Sequence, residues 1–217
     1  FVYLSIMIKF DSFHYIYPPR PKNSVKDTEI DFWDNKTLLC QPKLNGSNCV
    51  AFMNGTDCYL YNRHGQLLTN TSIDKQEILS IYSGDGWMVL NGEYMNKSKQ
   101  DENREVFNHK LVIFDILVNN SEYLIGSTFQ ERINILTNLF GDNESEKSYL
   151  YSITPNIYLT KTFYSGFNAL FNDFIKVDML EGIVCKRLSA KLEIGTTEEN
   201  NTKSMIKFRK KTKNYKF

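Results

Sequence analysis

Lys43 stands two residues before an Asn-Gly pair in the stretch QPKLNGSNCVAF, residues 41–52. A lysine amine that has shed its proton is a nucleophile, able to form a covalent bond that a later step breaks. With a reference pKa of about 10.4 it is an ammonium at neutral pH, so such a role calls for partial burial or neighbouring cations. Candidate neighbours follow along the chain: Arg63 in NRHGQ, Glu93 in LNGEYM, Phe114 in VIFDIL, Glu181 and Lys186 in EGIVCKR, and Lys207 and Arg209 in IKFR. Lys207 and Arg209 alternate, so on a strand they share a face. Singly, each has an ordinary explanation: solvated cations beside turns, an acid facing water, an exposed ion pair, a core phenylalanine.

The elements that must position these residues are mostly strands. LLCQP runs into KLNG, and NCVAFM and CYLYN flank Asn54-Gly55. That pair predicts a two-residue hairpin turn with φ > 0 at both positions. WMVLNGEYM, HKLVIFDIL, IVCKR and MIKFR read as further strands, the first two buried. Ser72 is placed to cap a short helix over SIDKQEILSIY. Residues 127–140 form the clearest helix, with Thr128 and Glu131 spaced as a capping box and Phe129, Ile133, Leu136 and Phe140 on one face. Residues 165–175 repeat that logic with Phe167, Leu170, Phe171 and Phe174. The proline-rich PPRPKNSVKD (18–27) predicts an irregular lead-in, and 141–148 a polar loop. Mixed strands and helices with hairpins between neighbouring strands predict an α+β fold with substantial antiparallel sheet.

The chain of 217 residues, 41% hydrophobic, is long enough for one sizeable core. Cys40, Cys49, Cys58 and Cys185 show no metal-ligand spacing and read as reduced thiols of an intracellular protein. FVYLSIMIKF is apolar but too short to span a bilayer, and it lacks the features of a signal peptide; Met7 is a candidate natural start. The net charge of +1 hides an asymmetry. Residues 203–217 carry seven basic residues and no acid; without them 19 basic face 25 acidic residues. A basic end on an acidic body suits a polyanion such as nucleic acid or a nucleotide phosphate, or is simply a solvated tail.

In order and spacing, KLNG, NRHG, LNGE, FDI, EGIVCK and IKFR resemble the motifs of the covalent nucleotidyltransferase superfamily, which comprises ATP-dependent DNA and RNA ligases and GTP-dependent mRNA capping enzymes. The resemblance spans roughly residues 36–210 and rests on six ordered blocks. It implies a ligase-type nucleotidyltransferase domain of twisted antiparallel sheets flanked by helices, with Lys43 attacking the α-phosphate of ATP. It puts Arg63 on the nucleotide and the nucleic-acid phosphate, Glu93 on the ribose hydroxyls, and Phe114 against the base. It puts Glu181 on a divalent metal, Mg²⁺ or Mn²⁺, and Lys186, Lys207 and Arg209 on phosphate. Most DNA ligases and capping enzymes have KxDG where this chain has Asn45. Lys43 to Asn48 is closer to the K-x-H/N-G-T/S-N form of phage-type RNA ligase 2 enzymes, with Asn45 at the nucleotide and Asn48 near the ribose or the strand's 3′-hydroxyl end. Gln41 has an amide that can read a purine edge, or can equally be a strand residue facing solvent.

The expected organisation is a lead-in at 1–35 packing on the domain, an adenylyltransferase domain at 36–210 and a basic tail at 211–217, with no C-terminal OB-fold. Lys210 and Lys211 are expected on nucleic acid. The expected activity is an ATP-dependent RNA ligase that seals a nicked or broken duplex carrying a 5′-phosphate and a 3′-hydroxyl. The alternatives are a minimal DNA ligase, a capping guanylyltransferase and a non-catalytic nucleotide-binding module. The expected setting is a monomer, free of membrane, in the cytoplasm, of viral or phage type.

Overall fold

The structure, a computed structural model, describes residues 18–141, 148–194 and 201–211. Its strands in chain order are β1 (Arg20–Ser24), β2 (Leu38–Leu44), β3 (Ser47–Met53), β4 (Cys58–Tyr61), β5 (Met88–Met95), β6 (Lys110–Asn119), β7 (Glu122–Tyr123), β8 (Leu150–Ser152), β9 (Ile157–Thr160), β10 (Leu180–Arg187) and β11 (Asn201–Arg209). The helices are α1 (Ile30–Trp33), α2 (Lys75–Ser80), α3 (Phe129–Phe140) and α4 (Phe167–Phe174), with a short 3-10 turn at Asp27–Glu29. One sheet runs β1-β11-β10-β2 and the other β4-β3-β5-β6-β9-β8, with β7 attached to β6. Most pairs are antiparallel; β1–β11 and β6–β9 are parallel. This is the mixed α+β architecture that the sequence predicts, and no helix is long and apolar enough to cross a membrane among the described residues.

Two apolar cores follow from the strand patterns. Val50, Phe52, Leu90, Ile116, Ile133 and Leu136 belong to the core of the larger sheet with α2 and α3. Leu38, Ile183, Phe208, Phe167, Phe171 and Phe174 belong to the core of the smaller sheet with α4. The faces predicted for the two longer helices are the buried ones, except that Leu170 and Phe140 stay partly exposed. Thr128 and Glu131 form the reciprocal capping box that ties down the start of α3.

The chain passes from β2 in one sheet to β3 in the other through Asn45-Gly46 alone. The crossing is tight because Gly46 lies against β5: a Cβ there would stand 2.6 Å from the Tyr94 carbonyl oxygen and 2.9 Å from Glu93 Cγ. The glycine of KLNG is thus required by close backbone approach. The strand just before the crossing carries Lys43, so the two-residue link fixes that lysine at the seam between the sheets.

Three expectations need correction. Residues 20–24 are not irregular but form β1, an edge strand, where Pro21 costs no ladder hydrogen bond on the open side; residues 1–17 of the expected lead-in lie outside the described residues. The β3–β4 hairpin is closed by the four residues between Met53 and Cys58. The side-chain oxygen of Asn54 accepts from the Thr56 and Asp57 N–H groups, and neither Asn54 nor Gly55 has positive φ. An Asx-type turn does the work assigned to a two-residue turn. The cap of α2 is Asp74, which accepts from the Gln76 N–H, in place of Ser72. Most of the predicted loop at 141–148, and all of the basic tail beyond Lys211, lie outside the described residues.

Candidate active site

A cleft of about 370 Å³ opens along the seam between the sheets. Gln41 and Lys43, two residues apart on β2, both line it, as do Val184 and Lys186 on β10 and Lys207 and Arg209 on β11. That is the alternation of a pleated sheet. The larger sheet contributes Asn48, Glu93 and Phe114, and Arg63 reaches in from the turn after β4.

The Lys43 Nζ donates to Glu181 Oε2 at 2.5 Å, and Arg209 Nε stands 3.4 Å from the same oxygen. Strict alternation on β10 would point Glu181 away from the side chains of Val184 and Lys186. A register irregularity between Leu180 and Gly182, where Gly182 has φ +144°, turns the carboxylate to the lysine instead. Glu93 accepts from the Gly46 N–H at 3.1 Å. Burial raises its carboxyl to about 7, although Lys43, the Gly46 N–H and Arg63 pull the other way. Burial also lowers Lys207, with Arg209, Lys43 and Arg20 adding repulsion.

Lys186 lines the same cleft but stands apart from the Lys43–Glu181–Arg209 cluster. It is buried, donates to Gln41 Oε1 at 2.6 Å, and stands 4.8 Å from the Phe114 ring centroid and 4.3 Å from that of Phe129. Burial lowers its ammonium to about 7. Its charged neighbours are Asp115 and Arg132, themselves a buried two-pronged ion pair at 2.8 and 3.0 Å. Gln41 does not face solvent. Its Nε2 donates to Thr162 Oγ1 at 3.3 Å and the Phe114 carbonyl at 3.4 Å. A carbonyl cannot donate and an ammonium cannot accept, so these partners fix the amide with its oxygen toward Lys186.

The remaining predicted residues divide. Asn48 lines the cleft; its Nδ2 donates to Asn91 Oδ1 and the Gly92 carbonyl, and its buried Oδ1 has no protein partner. Asn45 does not line the cleft and binds through its backbone N–H to the Met179 carbonyl. Lys210 and Lys211 are also outside the lining; the Lys210 ammonium donates to the Val177 carbonyl and Lys211 is exposed. Sequence reasoning missed Arg20 and Lys22 of β1, which line the cleft, and Thr162, which orients Gln41. The alternating prolines around Arg20 masked the strand that carries it.

No group of three or more His, Cys, Asp or Glu side chains able to hold a metal occurs among the described residues. Mg²⁺ is commonly held by one or two carboxylates with water and substrate phosphate, and the carboxylate nearest Lys43 is Glu181.

A family model described as "ATP dependent DNA ligase domain" matches residues 94–209. The match covers β6, β10 and β11 but begins after Lys43. No curated protein matches the chain. Among solved structures, a mycobacterial DNA ligase D complexed with ATP and MES is 16% identical, with a TM-score of 0.58, over 93% of this chain and 61% of that one. The ligase domain of LigD from M. tuberculosis is 15% identical, with a TM-score of 0.58, over 91% of this chain and 59% of that one. At that identity the likeness is one of fold. The chain spans about three fifths of the length of these structures.

Proposed function

Because the chain belongs to the ATP-dependent DNA ligase domain family, we propose that it is the adenylyl-transferring core of a ligase and that Lys43 carries the nucleotide. The observation behind this is the Lys43–Glu181 contact at 2.5 Å in a cationic cleft with an aromatic ring on the opposite sheet. In the first step the Lys43 amine bonds to the α-phosphorus of ATP as the bond to pyrophosphate breaks. The proton that the ammonium must give up has the Glu181 carboxylate as its immediate neighbour. Lys207 and Arg209 are placed to offset charge growing on the phosphate, where fixed cations in a partly dry site act most strongly. A bound Mg²⁺ would neutralise phosphate charge there. In the second step a 5′-phosphate oxygen of the strand displaces lysine from the AMP phosphorus. In the third a 3′-hydroxyl displaces AMP and closes the backbone.

The base would lie on Phe114 with one edge toward the Gln41–Lys186 couple. Gln41 Oε1 offers an acceptor through its second lone pair, next to the donor on Lys186. Adenine presents the complementary pair, an N6 amino donor beside a ring-nitrogen acceptor, and guanine's Watson–Crick edge does so as well, with an N1–H donor beside the O6 acceptor. The locked amide therefore suits a purine, and the family match is what supports ATP as the nucleotide.

The match of 94–209 to a DNA ligase domain supports DNA as the strand substrate, in place of the RNA expected from sequence. The RNA reading keeps one observation in its favour: Asn48, which lines the cleft, has the place of the asparagine in the RNA-ligase form of the motif. Sealing of nicks that differ only in a 3′-deoxyribose or 3′-ribose terminus separates the two. The primary test is incubation with α-labelled ATP or GTP and Mg²⁺ followed by a denaturing gel. Label from ATP on the wild type and none on Lys43→Ala is expected; label that survives Lys43→Ala overturns the reading.

A further inference from the structure

The start of β1 and the two prolines before it form a wall of the cleft: Pro18 through Lys22 all line it. The wall is tied to the phosphate-facing strand. The Lys207 ammonium donates to the Pro21 carbonyl at 3.3 Å, and the Lys207 carbonyl accepts from the Val25 N–H at 3.2 Å. Among the described residues, Glu93 is the only acidic side chain in the lining, against seven Lys and Arg. This imbalance is concentrated around Lys207, which Arg209, Lys43 and Arg20 all repel, with the Glu181 carboxylate opposing them in part. Cations gathered this closely repel one another, and a phosphate between them turns that repulsion into attraction.

Strand order gives the direction of the patch. Lys43 is on β2, Lys207 and Arg209 are on β11, and Arg20 is on β1 at the far edge of the same sheet. With strands about 4.8 Å apart, three spacings separate the β2 and β1 backbones by roughly 14 Å. Lys43 and Arg20 thus stand at opposite ends of the patch, so a ligand with several phosphates in line would meet Lys43 with one of them and Arg20 with another. Resting on the ligase reading above, we infer that Arg20 is a phosphate-binding residue of this cleft, gripping a phosphate beyond the one that meets Lys43. Two ligands supply that chemistry, the tail of ATP and the 5′-phosphorylated strand.

The test uses the full chain as wild type, Arg20→Ala and Arg20→Lys, titrated calorimetrically with ATP, with AMP and with nicked DNA duplexes ending in a 5′-phosphate or a 5′-hydroxyl. Loss of one charge-assisted contact predicts roughly tenfold weaker binding for Arg20→Ala. It falls on ATP with AMP unchanged if the tail is held, or on the 5′-phosphate duplex with the 5′-hydroxyl duplex unchanged if the strand is held. Arg20→Lys recovers part of it. Unchanged AMP binding also certifies that the variant cleft is folded. Equal weakening for ATP and AMP, with equal weakening for both duplexes, or no change in any arm, overturns the inference. A wild type that is labelled by ATP while Arg20→Ala binds every ligand as tightly overturns this inference alone; a wild type that binds no ligand overturns the ligase reading with it.

Discussion

Burial of Glu93 costs the folded protein stability at neutral pH. The carboxyl accepts a backbone hydrogen bond from Gly46, yet burial raises it from 4.5 to about 7. The folded protein therefore binds this proton more tightly than the unfolded chain does. Stability from this group is full below about pH 4.5 and is lost as pH rises through 7. A neutral Glu93→Gln side chain can keep the Gly46 bond without that dependence. Urea titrations of the two proteins should be similar at pH 5 and diverge at pH 8, with Glu93→Gln more stable by on the order of 2–3 kcal/mol. Curves that stay parallel across that range would show that Glu93 is better solvated than its surroundings imply. At this scale the residue types were legible in the sequence and their partners were not. Lys43, Glu93, Phe114, Lys207 and Arg209 were picked out and do line one cleft. That Lys186 would be sequestered against two phenylalanine rings and lock Gln41 depends on side chains from four separate segments, which no local pattern encodes.

At the scale of elements, the bend in β10 does what a straight strand cannot. Gly182 holds φ +144°, and a Cβ there would lie 2.1 Å from the Phe208 carbonyl oxygen in β11. Gly182→Ala must both leave the favoured backbone region and push β11 aside. We expect a loss of about 2 kcal/mol or more in folding stability, measured by chemical denaturation. Labelling at Lys43 should fall more than stability alone explains, because the displaced bend also moves Glu181 from Lys43 and Lys207 from the cleft. An alanine variant that labels at the wild-type rate would show that the bend positions nothing. Helix α3 and the long strands were readable because periodicity and capping act within a dozen residues. β1 was not, because its strand character comes from a parallel partner nearly two hundred residues away while its own prolines signal irregular chain. The turn at Asn54-Gly55 was placed correctly but for the wrong reason, since Asn54 closes it with its side chain.

At the scale of the molecule, the sheet that carries Lys43 and the sheet that carries Phe114 have largely separate cores and are joined in the chain at Asn45-Gly46. The fold class was legible because hairpin-linked strands permit few architectures; the substrate branch rests on less, two asparagines for the RNA reading against a matching family model, over 94–209, that describes a DNA ligase domain. A nucleotide in the seam would touch both sheets at once, with its base on Phe114 and its phosphate at Lys43. Such a ligand binds only the folded arrangement and so stabilises it by mass action, by about 2.7 kcal/mol at a hundredfold excess over Kd. Covalent attachment makes that bridge independent of free nucleotide. Wild-type protein treated with ATP and Mg²⁺ and then stripped of free nucleotide by gel filtration should keep a raised melting temperature. Lys43→Ala should show a rise with ATP present and lose it after filtration. Addition of pyrophosphate to the filtered wild type should reverse the first step, regenerate ATP and return the melting temperature to that of the untreated protein. A rise that survives filtration equally in Lys43→Ala would mean that the nucleotide is held without the lysine bond, and would remove Lys43 from the chemistry.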